Sequence, residues 1–521
     1  MDSSCCSCVK IQTSRTNPLL LVEIVEGEPC SRSSDKCQLQ TDRDGLSQLP
    51  DEILIRILCS LSVDEAARTS VLSRRWEKLW MKTILVTPRL EFYCMKKLKY
   101  VLRYPFRTSV REAYEYVDLV DEVTKLHPLP TLEEFTVGFP FNSMNSEDID
   151  RWVEFAAEKQ VKKLKFDFGI KIHYTGQSYE GFLASQGTAR RLNSLTDLYL
   201  RGVNVDPKVM HCLFSSSPFL QRLCVIDSQH LFMLEVAAPN LNYLEIRNCD
   251  NLQLLNISAP SLNKLKLFLG DSLLGIDNVF LGDSLLGIEN MFAPDLSHLS
   301  LGLHYMSIGR LRCIVDCFQE LLGRFSQVKK TLSLSLSCEV FCEIAKTNDM
   351  WHQFPELSNV EHLKISVIDP WPWWYVVEGL QVSQGLLWPC ALVKAAPFLH
   401  KLSIKLIHKE HKFTFRDMDF KWMDEDIPKT VKADANVRHS YRSMKVVELF
   451  GFIGCRNDIE FVLHLLEIAV SLEKITIRVC PPSGLEEADD FRDEENQFAN
   501  KIQQCAQLLK KARPDIDLLI I

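Results

Sequence analysis

The chain has 521 residues, of which 46% are hydrophobic and 25% charged. That is the mix of a folded protein with room for roughly two to four domains. The formal net charge of −8 sets a field that repels phosphate backbones and argues against a nucleic-acid partner. No run approaches the roughly 18 uninterrupted apolar residues of a membrane span, so no membrane partner is expected.

The 18 cysteines are scattered from Cys5 to Cys505, and no basic flank followed by an apolar core opens the chain. They read as reduced, mostly buried thiols of a protein in the nucleus, the cytoplasm or both. Residues 1–43 are rich in Ser, Cys and charge and read as a disordered leader. Cys5, Cys6 and Cys8 have no myristoylation signal beside them, because position 2 is Asp.

Order is expected from Asp44 onward, in a small helical module over residues 44–84. Pro50 followed by Asp51 and Glu52 starts a helix, since Pro is tolerated in the first turn and acids suit the positive end of the dipole. Ile53, Leu54, Ile57, Leu58 and Leu61 then recur at helical spacing. A second helix starts at Ser62-Val63-Asp64-Glu65, and a third carries Trp76, Leu79 and Trp80 on one side. Three helices in about 40 residues make too small a core to stand alone. Either a partner helix covers the surplus apolar surface, or the module caps the rest of this chain.

The stretch from Asp44 to Met81 resembles the F-box of plant F-box proteins. The resemblance rests on Leu49-Pro50-Asp51 and on Arg68-Thr69-Ser70-Val71-Leu72-Ser73-Arg74-Arg75-Trp76. It implies binding to a Skp-family adaptor and, through it, to cullin and a ubiquitin-conjugating enzyme. Candidates for adaptor contact are Leu49, Pro50, Ile53, Leu54, Ile57, Leu58, Leu72, Trp76, Leu79 and Trp80, some of which must form the module's own core. Where the family usually has Leu-Pro after the first helix, this chain has Leu61-Ser62, and Ser62 is expected to cap the second helix instead.

Residues 85–410 form the main body, and beyond residue 130 a short phrase recurs: apolar, two variable, apolar, one variable, apolar. Clear copies are Leu132/Phe135/Val137, Val161/Leu164/Phe166, Leu195/Leu198/Leu200, Leu220/Leu223/Val225, Leu241/Leu244/Ile246 and Leu262/Leu265/Leu267. Further copies are Leu296/Leu299/Leu301, Val360/Leu363/Ile365, Leu399/Leu402/Ile404, Met444/Val447/Leu449 and Leu472/Ile475/Ile477. The alternating positions suit a short strand with one face buried. From Leu220 to Leu241 and from Leu241 to Leu262 the step is 21 residues. That is too short for strand–helix–strand barrel units, and 226–240 has no amphipathic helical period. The expected fold is therefore an α/β leucine-rich-repeat solenoid of roughly ten irregular units. Phe268 to Asn278 is nearly repeated, 12 residues later, at Phe280 to Asn290. One copy should bulge out without breaking the stack.

Residues 411–440 read as a polar loop or linker, and 441–521 as a closing segment. In that segment a strand follows Met444, an amphipathic helix spans 458–467 and a strand spans 472–479. A helix through Phe498, Ile502, Cys505 and Leu509 and a final strand at 516–521 complete it. The part from about Ile427 to Cys480 is similar to the FBD region of plant F-box/leucine-rich-repeat proteins. A cap is required because an open solenoid end exposes core.

Catalytic signatures are missing: there is no Gly-rich phosphate loop, no nucleophile elbow and no His-Glu-x-x-His. Cys313/Cys317 and Cys338/Cys342 have helical spacing but no matching His pair, so no metal and no cofactor is expected. Lys162, Lys163 and Lys165 read as a solvated face. Trp371, Trp373 and Trp374, with Trp388 nearby, form either a substrate-binding loop or a satellite core. The F-box resemblance implies a non-catalytic substrate-recognition subunit of a Skp–cullin–F-box ubiquitin ligase, with a target protein on the repeats. A small-molecule co-receptor of the same architecture and a non-ligase F-box scaffold remain the alternatives.

Overall fold

The structure is a computed structural model. It describes residues 10–12, 21–23, 46–61, 63–93, 110–139, 141, 145–168, 179–182, 186–228, 230–249, 251–269, 287–303, 318, 320–337, 354–368, 388–407, 442–452, 456–479 and 492–521. The chain divides into two compact units. One holds Met1–Val205 with Ser215–Phe219, the other Asp206–Phe214 with Leu220–Ile521.

In the first unit, Lys10–Gln12 (β1) and Leu21–Glu23 (β2) pair antiparallel with Ile11 opposite Val22. The sequence reading placed no element there. Helices Asp51–Leu58 (α1), Val63–Arg68 (α2) and Arg74–Val86 (α3) follow, with a 3-10 turn at Thr69–Leu72. Pro50 sits one residue before α1, and its carbonyl accepts from the Ile53 and Leu54 amides at 3.1 and 3.2 Å. Ser73 caps α3, its hydroxyl accepting from the Trp76 amide at 3.4 Å. Ser62, the expected cap of α2, lies outside the described residues.

Only Thr87 and Pro88 separate α3 from the strand Arg89–Tyr93 (β3). Strands Glu134–Gly138 (β4), Lys163–Asp167 (β5), Tyr179–Phe182 (β6), Asp197–Arg201 (β7) and Val203–Val205 (β8) follow. β3, β4, β5 and β7 pair in parallel, and β6 pairs with β8. Helices Val110–Leu126 and Ser146–Glu158 connect successive strands of the larger sheet. Val117, Val120 and Val123 from the first, and Ile149, Trp152, Val153 and Ala156 from the second, are buried at helical spacing. Asp121 joins the two helices, accepting from the Trp152 indole and from Arg151, each at 2.8 Å. The core between is largely aromatic, with Phe135 against Phe92, Phe155 and Phe166 at ring separations of 6.2, 5.3 and 6.3 Å.

The second unit is built on ten parallel strands: Arg222–Ile226 (β9), Tyr243–Arg247 (β11), Lys264–Leu269 (β13), His298–Leu303 (β15), Thr331–Ser337 (β16), His362–Ile368 (β17), Lys401–Ile407 (β18), Val446–Phe452 (β19), Lys474–Val479 (β20) and Asp517–Ile520 (β21). The phrase residues are buried in both units, with Ile404 half-buried. Leu223, Leu244 and Leu265 lie in register, which makes the 21-residue step one strand spacing.

Those short units hold a second strand layer that the sequence reading missed. Met233–Ala237 (β10), Leu254–Ser258 (β12) and Met291–Phe292 (β14) pair in parallel. Twenty-one residues leave no room for a helix on the return, so a five-residue strand closes each turn, burying Leu234 and Val236 or Leu255 and Ile257. Asp227 and Asn248, one repeat apart, end β9 and β11 with φ of 59° and 54°. Asp and Asn tolerate that left-handed conformation, and Asn248 donates to the Asp227 carboxylate at 2.8 Å. Longer units return through helices instead, Trp388–Ala395 before β18, Arg456–Ile468 before β20 and Arg492–Ala512 before β21.

Across the duplication, β13 pairs directly with β15, Leu265 opposite Leu299 and Leu267 opposite Leu301. The stack therefore continues unbroken. The end of the second copy carries the outer layer: the Leu255 amide donates to the Gly287 carbonyl and the Ile257 amide to the Asn290 carbonyl, both at 2.9 Å. Residues 270–286, which hold most of the first copy, lie outside the described residues, as do 411–440.

Candidate functional site

The helical module sorts its apolar residues by helix face. On α1, Leu54 and Leu58 are one turn apart and 0% and 1% exposed; Val63 and Ala66 of α2 and Leu79, Trp80 and Ile84 of its successor α3 are buried as well. Ile53 and Ile57 are also one turn apart but lie on the other face, each 41% exposed. Leu72, in the turn before α3, is 65% exposed. Leu54, Leu58, Leu79 and Trp80 are buried within the module. Pro50, Ile53, Ile57 and Leu72 stand open, with Leu49 and Trp76 half-buried. Leu46, Leu61, Val71, Met81, Leu85 and Val86, none of them among the contact candidates, are further exposed apolar side chains of this module.

One side chain joins the two ends of the module. Arg75 donates from Nη2 to the Leu49 carbonyl at 2.6 Å and to Asp51 Oδ1 at 2.9 Å, and from Nε to the same oxygen at 3.1 Å. Lys82 reaches Asp51 Oδ2 at 3.4 Å. The Arg75 hydrogen bond holds the Asp51 carboxyl below the usual carboxylate range. The Leu49-Pro50-Asp51 turn is thereby fixed against α3, and with it the direction in which α1 presents Ile53 and Ile57. The pair is 24 residues apart in sequence, and no local periodicity marks it.

In the second unit, side chains alternating with the buried rows project from the strand face. β17, β18 and β19 carry a polar chain there. His362 Nε2 lies 2.9 Å from Ser403 Oγ, which donates to Glu448 Oε2 at 2.9 Å, and Lys401 pairs with Glu448 at 2.6 Å. This is not a nucleophile arrangement: the Ser403 proton is committed to Glu448, so the histidine nitrogen is placed as donor to the hydroxyl rather than as its base. Burial, with Lys364 and Lys401 alongside, pushes the His362 imidazole down to about 4, against a smaller opposing pull from Glu448. The folded chain keeps this ring neutral while an unfolded one protonates near 6.5. Its stabilising contribution is therefore complete above pH 6.5 and lost as pH falls toward 4. His362→Gln is expected to flatten that part of the pH profile of urea midpoints; an unchanged slope would assign the acid sensitivity to other groups.

Trp371, Trp373 and Trp374 lie outside the described residues, as do Cys313, Cys317, Cys338 and Cys342. Trp388 opens the helix Trp388–Ala395. Lys162 and Lys163 are exposed, and Lys165 lies over the Tyr199 ring at 5.0 Å, in keeping with a solvated face. Among the described residues, no group of three or more His, Cys, Asp or Glu is placed to hold a metal, and no helix is long and apolar enough to cross a membrane.

Comparison with known proteins connects both parts. Residues 181–515 match the family described as At1g61320/AtMIF1, LRR domain, and residues 46–86 match the F-box domain. The chain is similar to three Arabidopsis thaliana proteins. FBD-associated F-box protein At5g38590 is 31% identical over 181 residues, covering 34% of this chain and 38% of that protein. F-box/LRR-repeat protein At1g55660 is 33% identical over 116 residues, covering 22% and 28%. FBD-associated F-box protein At4g10400 is 33% identical over 122 residues, covering 23% and 26%. In each case the chain spans well under half of the relative's length.

Proposed function

The chain belongs to the plant F-box/leucine-rich-repeat family, and from that premise we propose that it is the substrate-recognition subunit of a Skp–cullin–F-box ubiquitin ligase. F-box domains typically bind Skp-family adaptors, and proteins of this family are generally non-catalytic adaptors. In this reading α1, α2 and α3 form a three-helix F-box, the parallel stack holds the target, and residues 441–521 close the stack as an FBD-type cap. The chain does no bond chemistry; it raises the effective concentration of a target beside a conjugating enzyme. Nucleus and cytoplasm both suit that role.

The observation that carries the reading is the open apolar face of α1. Ile53 and Ile57 stay exposed next to a saturated core formed by Leu54 and Leu58. A partner helix laid against that face would bury them.

Self-ubiquitination tests this without a known target. The purified chain, adaptor, cullin with its RING partner, and conjugating and activating enzymes are expected to give ubiquitin conjugates on the chain itself. Omitting the adaptor should abolish them. Conjugation that proceeds equally without the adaptor, or none in the full mixture, contradicts the assignment.

A further inference from the structure

Five adjacent strands of the second unit, β13, β15, β16, β17 and β18, are paired in parallel without a register break. Three rows of side chains therefore cross them on the face opposite the buried leucines. The first row reads Lys264, His298, Thr331, His362, Lys401, and the second Lys266, Ser300, Ser333, Lys364, Ser403. The third reads Phe268, Gly302, Ser335, Ser366, Lys405. These 15 positions carry five lysines, two histidines and six hydroxyls, and no carboxylate. In a chain with net charge −8, that is a concentrated local reversal of sign.

The acids stand at the two edges. Glu245 on β11 takes Lys266 at 3.3 Å, and Glu448 on β19 takes Lys401. Glu361, just before β17, lies outside the rows. Between these edges Lys264, Lys364 and Lys405 make no ion pair among the described residues. The imidazole of His298 is pushed down by burial and by the charges of Lys264, Lys330 and Lys364. At one side the Phe268 ring packs over Gly302, with the Arg247 guanidinium over the ring at 4.2 Å.

We propose that this lysine- and serine-lined face is the docking surface for an extended acidic segment, rich in Asp and Glu, of the target protein. The face is four strand spacings wide, roughly 19 Å, which an extended segment of about six residues spans. Lys264 and Lys405 at the margins and Lys364 in the centre pair carboxylates, and the hydroxyls of Ser300, Ser333 and Ser366 donate to backbone or side-chain oxygens. The chain's overall negative charge repels long polyanions such as nucleic acid, so a short acidic stretch on a protein fits the small size of the basic area. The inference rests on the proposed substrate-recognition role and names the chemistry of the target.

The test uses the full chain and a fluorescein-labelled poly-glutamate peptide, read by polarisation at low and moderate salt, with adaptor binding measured on the same samples. Wild type should bind, and more weakly as salt rises. Lys364→Glu with Lys405→Glu should weaken binding by about tenfold or more, while Lys162→Glu with Lys163→Glu leaves it unchanged. No binding by the wild type, equal loss in both variants, or tighter binding of an oligonucleotide of the same charge overturns the proposal. If the adaptor binds and the peptide does not, the docking surface alone is wrong; if the adaptor fails, the functional reading falls as well.

Discussion

Phe135→Ala is expected to be among the most destabilising single substitutions in the first unit, costing about 3–5 kcal/mol. The side chain is 0% exposed on β4 and holds three aromatic neighbours at once: Phe92 on β3, Phe166 on β5 and Phe155 on the Ser146–Glu158 helix. Truncation removes the transfer energy of a ring and leaves a cavity between strands whose backbones are pinned by parallel pairing, so the site cannot collapse to fill it. For a unit of this size the loss corresponds to a fall in Tm of about 10 °C or more. Phe219→Ala is the control, since that ring is 61% exposed, and its effect should stay within about 0.5 kcal/mol. A calorimetric scan in which both variants unfold with the wild type would show that the aromatic stack does not hold this unit together.

The second large effect concerns binding rather than folding. Ile53→Asp with Ile57→Asp should leave the melting profile close to wild type, because both side chains already face solvent. The same change should weaken adaptor binding by at least about a hundredfold, since it removes apolar area and places unpaired carboxylates in an apolar contact. The contrast with Leu54→Asp is diagnostic. Leu54 belongs to the core, and its substitution is expected to unfold the module and lose binding together. If the Ile53/Ile57 variant binds the adaptor as well as wild type, the contact surface lies on another face of the module, where Met81 and Leu85 are the next exposed pair.

How much of this was legible follows from the length of each signal. The inward phrase of the solenoid was readable because each copy fixes two or three buried positions, and Leu223, Leu244 and Leu265 stand in the register that their spacing implied. Two strands escaped for a reason visible in single residues. Before β16 the first position of the phrase is Lys329, with buried Val328 one residue earlier taking its place; before β3 it is Thr87. The outer strands β10 and β12 were missed because two buried residues each, such as Leu234 and Val236, are too few to show a period.

The division near residues 205–220 coincides with no shift in composition. In the module, residue types alone could not sort Ile53 from Leu54, since neighbours on a helix point about 100° apart and only the packing of α3 decides which face closes. The Arg75–Asp51 bridge was beyond local reading altogether. The basic face of β13 to β18 was equally hidden. Its lysines are spread over more than 140 residues and become neighbours only through strand pairing.

The claim at the centre is that the open face of α1 exists to be covered by an adaptor. Titrating purified plant Skp adaptor into the intact chain by calorimetry tests it directly. The account predicts one-to-one binding, submicromolar, with a negative heat-capacity change from burial of apolar surface. Absence of binding would contradict it, leaving a repeat protein whose helical module is no more than the first turn of its own stack.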